Sequence, residues 1–178
     1  MELISVVNQT LSLLTIAGQI IVVVLIVSFA TKRSEVLNFF AKHALSFALA
    51  VALIAMLGSL FYSEIAGYEP CKLCWFQRIL MYPQAILLGI AWLKEDHGIV
   101  LYSIALSSLG ALIAGYNYLL QIGFVPSIGC SAVGYSINCS QRFVMQFGYV
   151  TIPLMALTAF LLIISFMMVS KRSSLLIK

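Results

Sequence analysis

Apolar runs dominate this chain, and polar residues gather between them. A bilayer crossing by a helix takes about 20 residues, and five stretches approach or exceed that length. Leu3 to Ala30 carries no charge, and His43 to Ser63 contains no Lys, Arg, Asp or Glu. Ile79 to Leu93 is shorter but extends back to Cys74 if Arg78 sits near one membrane face. Ile99 to about Ile122 is the fourth run and Gly148 to Val169 the fifth. The pattern predicts an all-α integral membrane protein. The first run is longer than the apolar region of a signal peptide, and no basic segment precedes it, so it reads as a retained helix.

The intervening stretches differ in kind. Lys94 to Gly98 is a tight polar turn. The stretch from Gly123 to Gly148 carries Pro126, Gly129, Gly134 and Asn138 and reads as a loop. A structureless segment of that length is usually functional.

Composition agrees with a membrane solvent. Of 178 residues, 62% are hydrophobic and 9% charged, against roughly a quarter charged in a soluble domain. The net charge is +4. Its basic pairs, Lys32-Arg33 and Lys171-Arg172, are not interleaved with aromatic residues, which argues against nucleic-acid binding and for anchors at the membrane edge. With the N-terminus outside, the inner segments hold Lys32, Arg33, Lys42, Lys94, Lys171, Arg172 and Lys178, and the outer ones only Lys72, Arg78 and Arg142. The excess of positive charge on cytoplasmic segments favours this orientation.

Charge alone sets that orientation, yet it sends all four cysteines outside the cytoplasm, where disulfides persist. Cys71 and Cys74 form a Cys-x-x-Cys motif in one outer loop, and Cys130 and Cys139 lie in the other. Four cysteines allow three pairings, of which Cys71–Cys74 with Cys130–Cys139 is the natural one. Zinc is disfavoured, because the second pair has the wrong spacing and both histidines fall on the other side. Structural staples are the remaining bland reading. The local sequence favours redox chemistry. Pro70 suits a helix start, which would put both thiols near the positive end of the helix dipole. Cys71, Cys74, Arg78 and Tyr82 are spaced by three, four and four, and so share one helix face. A guanidinium beside apolar sequence usually has a partner or a task; here it could stabilise negative charge on an electron acceptor. Trp75, Phe76, Tyr82 and Trp92 read first as aromatic belts.

The run Cys71-Lys-Leu-Cys-Trp-Phe-Gln-Arg78, continuing Ile79-Leu-Met-Tyr-Pro83, resembles the DsbB/BdbC family of disulfide-forming membrane proteins. The order of elements is also similar, over about residues 44 to 170. The resemblance implies a four-helix bundle core at 44–170, with an additional N-terminal transmembrane helix and cytoplasmic linker at 1–43 and a cytoplasmic tail at 171–178. It implies a thiol:quinone oxidoreductase of the bacterial inner membrane, with a thioredoxin-fold partner of the DsbA type and ubiquinone or menaquinone as cofactor. Carried over, Cys130 forms the mixed disulfide with the partner, Cys139 pairs with Cys71 during exchange, and Cys74 faces the quinone, held with Arg78, Gln77 and Tyr82. Asn117 stands where the family often has histidine, and eight residues separate Cys130 from Cys139, fewer than in the best-known members. The helix at 3–30 precedes the cysteine-bearing core and is expected to be dispensable for the chemistry.

Two rival readings stand beside this one. A vitamin K epoxide reductase-like quinone reductase is disfavoured, because that family places its separated cysteine pair before the Cys-x-x-Cys. A non-enzymatic membrane protein with structural disulfides is disfavoured by the near absence of ionisable residues within the spans.

Overall fold

The computed structural model describes residues 2–31, 34–96, 98–125 and 139–176. Within them the chain is helical: α1 Glu2–Ala30, α2 Ser34–Lys42, α3 Ala44–Leu60 extended by one π-helical turn Phe61–Ile65, α4 Lys72–Lys94, α5 Ile99–Gln121 and α6 Ile152–Leu176. Five of these elements are long and apolar enough to cross a membrane, as the runs of apolar sequence predict.

Several boundaries differ from the sequence reading, among them the end of the last helix, which runs to Leu176 rather than stopping at Val169. The last helix begins at Ile152 rather than Gly148, because Phe147 and Gly148 both adopt positive φ in a turn closed by the Gln146–Val150 bridge. A left-handed pair of that kind cannot continue a right-handed helix. The segment expected as a linker after the first span contains α2, whose single fully inward residue, Leu37, joins the core. A nine-residue amphipathic helix escapes a search for membrane-length runs.

Helices α3, α4, α5 and α6 pack as a ring in that order, closed by α6 against α3. Helix α1 lies outside the ring against α6, and α2 fills the angle between them. Lipid is as apolar as leucine, so burial alone does not hold such helices together; close packing and interhelical hydrogen bonds do. Gly110 of α5 meets the ring of Phe160 so closely that a Cβ there would lie 2.3 Å from the ring Cζ. Gly18 of α1 abuts Leu162 in the same way at 2.8 Å. Between α4 and α5, the buried Gln84 accepts hydrogen bonds from the Ser103 and Ser107 hydroxyls, both at 2.9 Å, and donates to the Leu80 carbonyl. Its amide is therefore satisfied inside the bundle, as a buried polar group must be. Trp92 donates to Ser46 Oγ at 2.9 Å and ties α4 to α3 toward the end away from the cysteines.

Candidate functional site

The site is built where α4 begins. Pro70 precedes Cys71, which is the extended N-cap residue at φ −68° and ψ 169°. Cys74 follows in the first turn. The motif thus straddles a helix N-terminus, where unpaired N–H groups and the helix dipole favour a negatively charged sulfur.

Cys71 Sγ donates to Cys74 Sγ at 3.1 Å. From α5, Asn117 Nδ2 also points at Cys74 Sγ, at 3.7 Å. From the second loop, Cys139 packs into the same buried cluster as Cys71 and Leu120, and its thiol donates to Cys71. Three sulfurs therefore gather at the start of α4, with Cys71 interacting with both Cys139 and Cys74. Donation to Cys74, together with burial, pushes the Cys71 thiol well above the usual cysteine range. Cys139 and Cys71 are buried and Cys74 is partly buried. The fourth sequence candidate, Cys130, lies outside the described residues.

The segment that carries Cys139 is fastened to the end of α5. Gln121 Nε2 donates to the Gln141 carbonyl at 3.0 Å, and Arg142 Nε donates to the Gln121 carbonyl at 2.6 Å. The Arg142 charge is thus spent on a backbone acceptor that would otherwise be exposed at a helix C-terminus.

Arg78 sits one turn below Cys74. Its Nε donates to Ser59 Oγ and its Nη2 to the Ser59 carbonyl, both at 2.9 Å. Tyr82 donates to the same hydroxyl at 3.2 Å, and the guanidinium lies 5.4 Å from the Trp75 ring centroid. The charge near the apolar span is accounted for by α3. A guanidinium has five N–H groups, and the bonds to Ser59 use two of them.

A cavity of about 320 Å³ opens beside this stripe. Cys71, Cys74, Gln77, Arg78 and Tyr82 all border it, as does Cys139. Cys71, Cys74, Arg78 and Tyr82, which share one helix face by their spacing, meet at this wall. Two buried amide atoms on its wall, Gln77 Nε2 and Gln121 Oε1, have no hydrogen-bond partner. Such orphaned groups are costly, and both residues stand beside the sulfurs. The opposite end of the cavity is lined by apolar groups such as Ile21, Val51 and Leu162.

Several residues escaped the sequence reading. Tyr62, Tyr68 and Phe143 stack in series, with centroids 5.9 and 4.9 Å apart and both pairs inclined by 14°. All three border the cavity at its cysteine end. They come from α3's π turn, the first loop and the second loop, so no periodicity links them. Gln121 and the α1 side chains on the wall were also missed. Asn117 drew notice only as a departure from a family pattern; its contact with Cys74 depends on how α4 and α5 meet.

Comparison with known proteins bears on the same region. The family described as "Disulfide bond formation protein DsbB" matches residues 41–170. Disulfide bond formation protein C of Bacillus subtilis is 47% identical over 122 residues, covering 68% of this chain and 87% of that protein. Probable disulfide formation protein C 1 of Bacillus anthracis is 44% identical with the same coverage. A probable disulfide formation protein of Coxiella burnetii is 41% identical over 138 residues, covering 74% and 92%. No solved structure matches the chain.

Proposed function

The chain belongs to the DsbB family of disulfide bond formation proteins, and on that premise we propose that it is a thiol:quinone oxidoreductase of the bacterial cytoplasmic membrane. The observation that carries the reading is the gathering of three sulfurs, Cys139, Cys71 and Cys74, beside one cavity. In this reading residues 44–170 are the redox core, 1–43 an added helix with its linker, and 171–178 a cytoplasmic tail. The N-terminus and both cysteine-bearing loops lie outside the cytoplasm, in accord with the distribution of Lys and Arg.

The exchange runs as follows. A thiolate of a reduced thioredoxin-fold partner of the DsbA type attacks Cys130 of the Cys130–Cys139 disulfide. A partner–Cys130 bond forms and Cys139 leaves as thiolate. The partner's second thiol breaks that mixed disulfide, so the partner leaves oxidised and Cys130 and Cys139 hold its two electrons. Cys139 then attacks Cys71 of the Cys71–Cys74 disulfide, forming a Cys139–Cys71 bond and releasing Cys74 as thiolate. Cys130 resolves that bond, restoring Cys130–Cys139 and leaving the electron pair on Cys71 and Cys74. Each step is attack by thiolate on sulfur along the line of attack, which favours sulfurs already in contact. Asn117 points its Nδ2 at Cys74, so the thiolate leaves toward a donor already in place, and Cys71 donates to it as well once Cys130 has freed the Cys71 thiol.

The cavity's residues fit a quinone. Gln77 Nε2 is a buried donor without an acceptor, Arg78 retains N–H groups beyond its bonds to Ser59, and the remaining wall is largely apolar. Gln77, Arg78 and Tyr82 would hold the head group next to Cys74. When bound, the quinone supplies the two-electron oxidant that returns Cys71 and Cys74 to the disulfide.

The test is quinone reduction by purified protein with a reduced thioredoxin-fold partner. Cys74→Ala should abolish turnover, and Arg78→Leu should raise the quinone KM by roughly tenfold, about 1.4 kcal/mol. Full turnover in Cys74→Ala would reject the assignment in favour of structural cysteines.

A further inference from the structure

Helix α1 precedes the region that matches the family, which begins at residue 41, and the sequence alone assigns it no part in the chemistry. Its placement says otherwise. Leu11, Leu14, Thr15, Ala17, Gly18 and Ile21 of α1 all border the cavity that holds Cys74. The reason is the way α1 docks. It packs along α6, with Gly18 seated on Thr158 and Leu162. It makes no comparable interface with α3; Leu11 reaches across to Gly58, where a Cβ would lie 3.2 Å from its Cδ1. The gap between α1 and α3 is therefore walled by both helices and floored by α6.

The cavity is also polarised along its length. The Cys71, Gln77, Arg78 and Gln121 side chains lie at its cysteine end, and the α1 contribution is apolar except for Thr15, whose hydroxyl is already bonded to the Leu11 carbonyl at 2.7 Å. On α6 the lining runs from Ile152 to Leu162, a depth of about 15 Å at 1.5 Å per residue, or half of a hydrocarbon core about 30 Å thick. Tyr149 Oη donates to Gln19 Oε1 at 3.2 Å, so the loop after Cys139 is tied to the same helix.

We infer that α1 is a wall of the ligand site, and that the space between α1 and α3 takes the apolar tail of a quinone whose head group lies at Cys74. The inference rests on the quinone reading above and adds the residues that select for the tail. Without α1 this flank of the cavity would open on lipid; with it, tail length and bulk meet fixed side chains.

Ala17 borders the cavity yet is exposed, so a larger side chain there narrows the space without entering the α6 interface. Binding to full-length protein in detergent is read by quenching of tryptophan fluorescence, with one quinone bearing a ten-carbon tail and one with the ring alone. Ala17→Phe should weaken the tailed quinone by at least tenfold and the ring-only quinone by less than threefold. Val24→Phe, on the same helix but off the cavity, should change neither. Leu14→Ala, which removes apolar wall without adding bulk, should weaken the tailed quinone severalfold and decides the matter if Ala17→Phe does not fold. Equal binding of the tailed quinone by wild type, Ala17→Phe and Leu14→Ala overturns the inference while leaving the quinone reading intact. Failure of wild type to bind either quinone overturns the quinone reading itself.

Discussion

Replacing Asn117 with leucine should make the protein no less stable and a poorer oxidant. Asn117 is fully buried; its Nδ2 donates to Cys74 Sγ at 3.7 Å while its Oδ1 has no partner. A buried acceptor left unsatisfied costs about 1–3 kcal/mol, and a neutral hydrogen bond contributes about 1 kcal/mol. Leucine removes both the orphan and the bond at similar volume, so stability should stay level or rise by up to about 2 kcal/mol. The redox effect has a definite sign. The amide hydrogen bond stabilises the reduced, sulfur-centred charge on Cys74, and a couple whose reduced form is stabilised is the stronger oxidant. Losing about 1 kcal/mol of that stabilisation lowers the potential of the Cys71–Cys74 couple by about 20 mV, since about 30 mV corresponds to 1.4 kcal/mol for two electrons. The measurements are equilibration of the pair against a dithiol buffer, with the redox state read by alkylation and mass, and thermal unfolding in detergent. A variant that loses stability while its potential is unchanged would refute the argument, because Asn117 would then be a packing residue.

Two further outcomes follow from the same geometry. Cys71 is held protonated by donating to Cys74 and by burial, so its alkylation should be slow near neutral pH and accelerate as the solution becomes alkaline; Cys74→Ala removes the acceptor, lowers the Cys71 pKa toward the ordinary range, and should speed labelling of the Cys71 peptide at pH 8 by roughly tenfold per unit regained, with an unchanged rate counting against the hydrogen bond. Gly110→Ala drives a methyl to 2.3 Å from the buried Phe160 ring and should cost about 1–3 kcal/mol of stability; Phe160→Leu in the same chain should recover part of it, and additive losses would show that the two residues do not meet.

The spans were legible because each apolar run is bounded by charge or by Gly and Pro, and a membrane makes that contrast coarse and local. The start of α6 was not, since the left-handed turn at Phe147 and Gly148 reads as apolar sequence continuing into the helix. Of the site, the stripe Cys71–Cys74–Arg78–Tyr82 was visible through helical spacing. That Arg78 is shared with Ser59, that Asn117 meets Cys74, and that Gln121 fastens the segment of Cys139 are contacts between elements far apart in sequence, and spacing within one element carries no record of them. The three-ring stack of Tyr62, Tyr68 and Phe143 is hidden for the same reason.

The amide of Gln84 has a consequence at a distance. By gripping Ser103 and Ser107 together it fixes how far α4 and α5 can slide past one another. Cys74 lies ten residues back along α4 from that grip, and Asn117 ten residues on from Ser107 along α5. The two helices run in opposite directions, so both paths climb the same roughly 15 Å to the cysteine end. A slip of one turn would displace Asn117 by about 5.4 Å and leave the Cys74 sulfur without its amide donor. Gln84 thus works as a ruler stop: a neutral residue deep in the bilayer sets the alignment of Cys74 with Asn117 near its surface, so the surroundings of that sulfur can be altered from the middle of the membrane without any change to the residues around it.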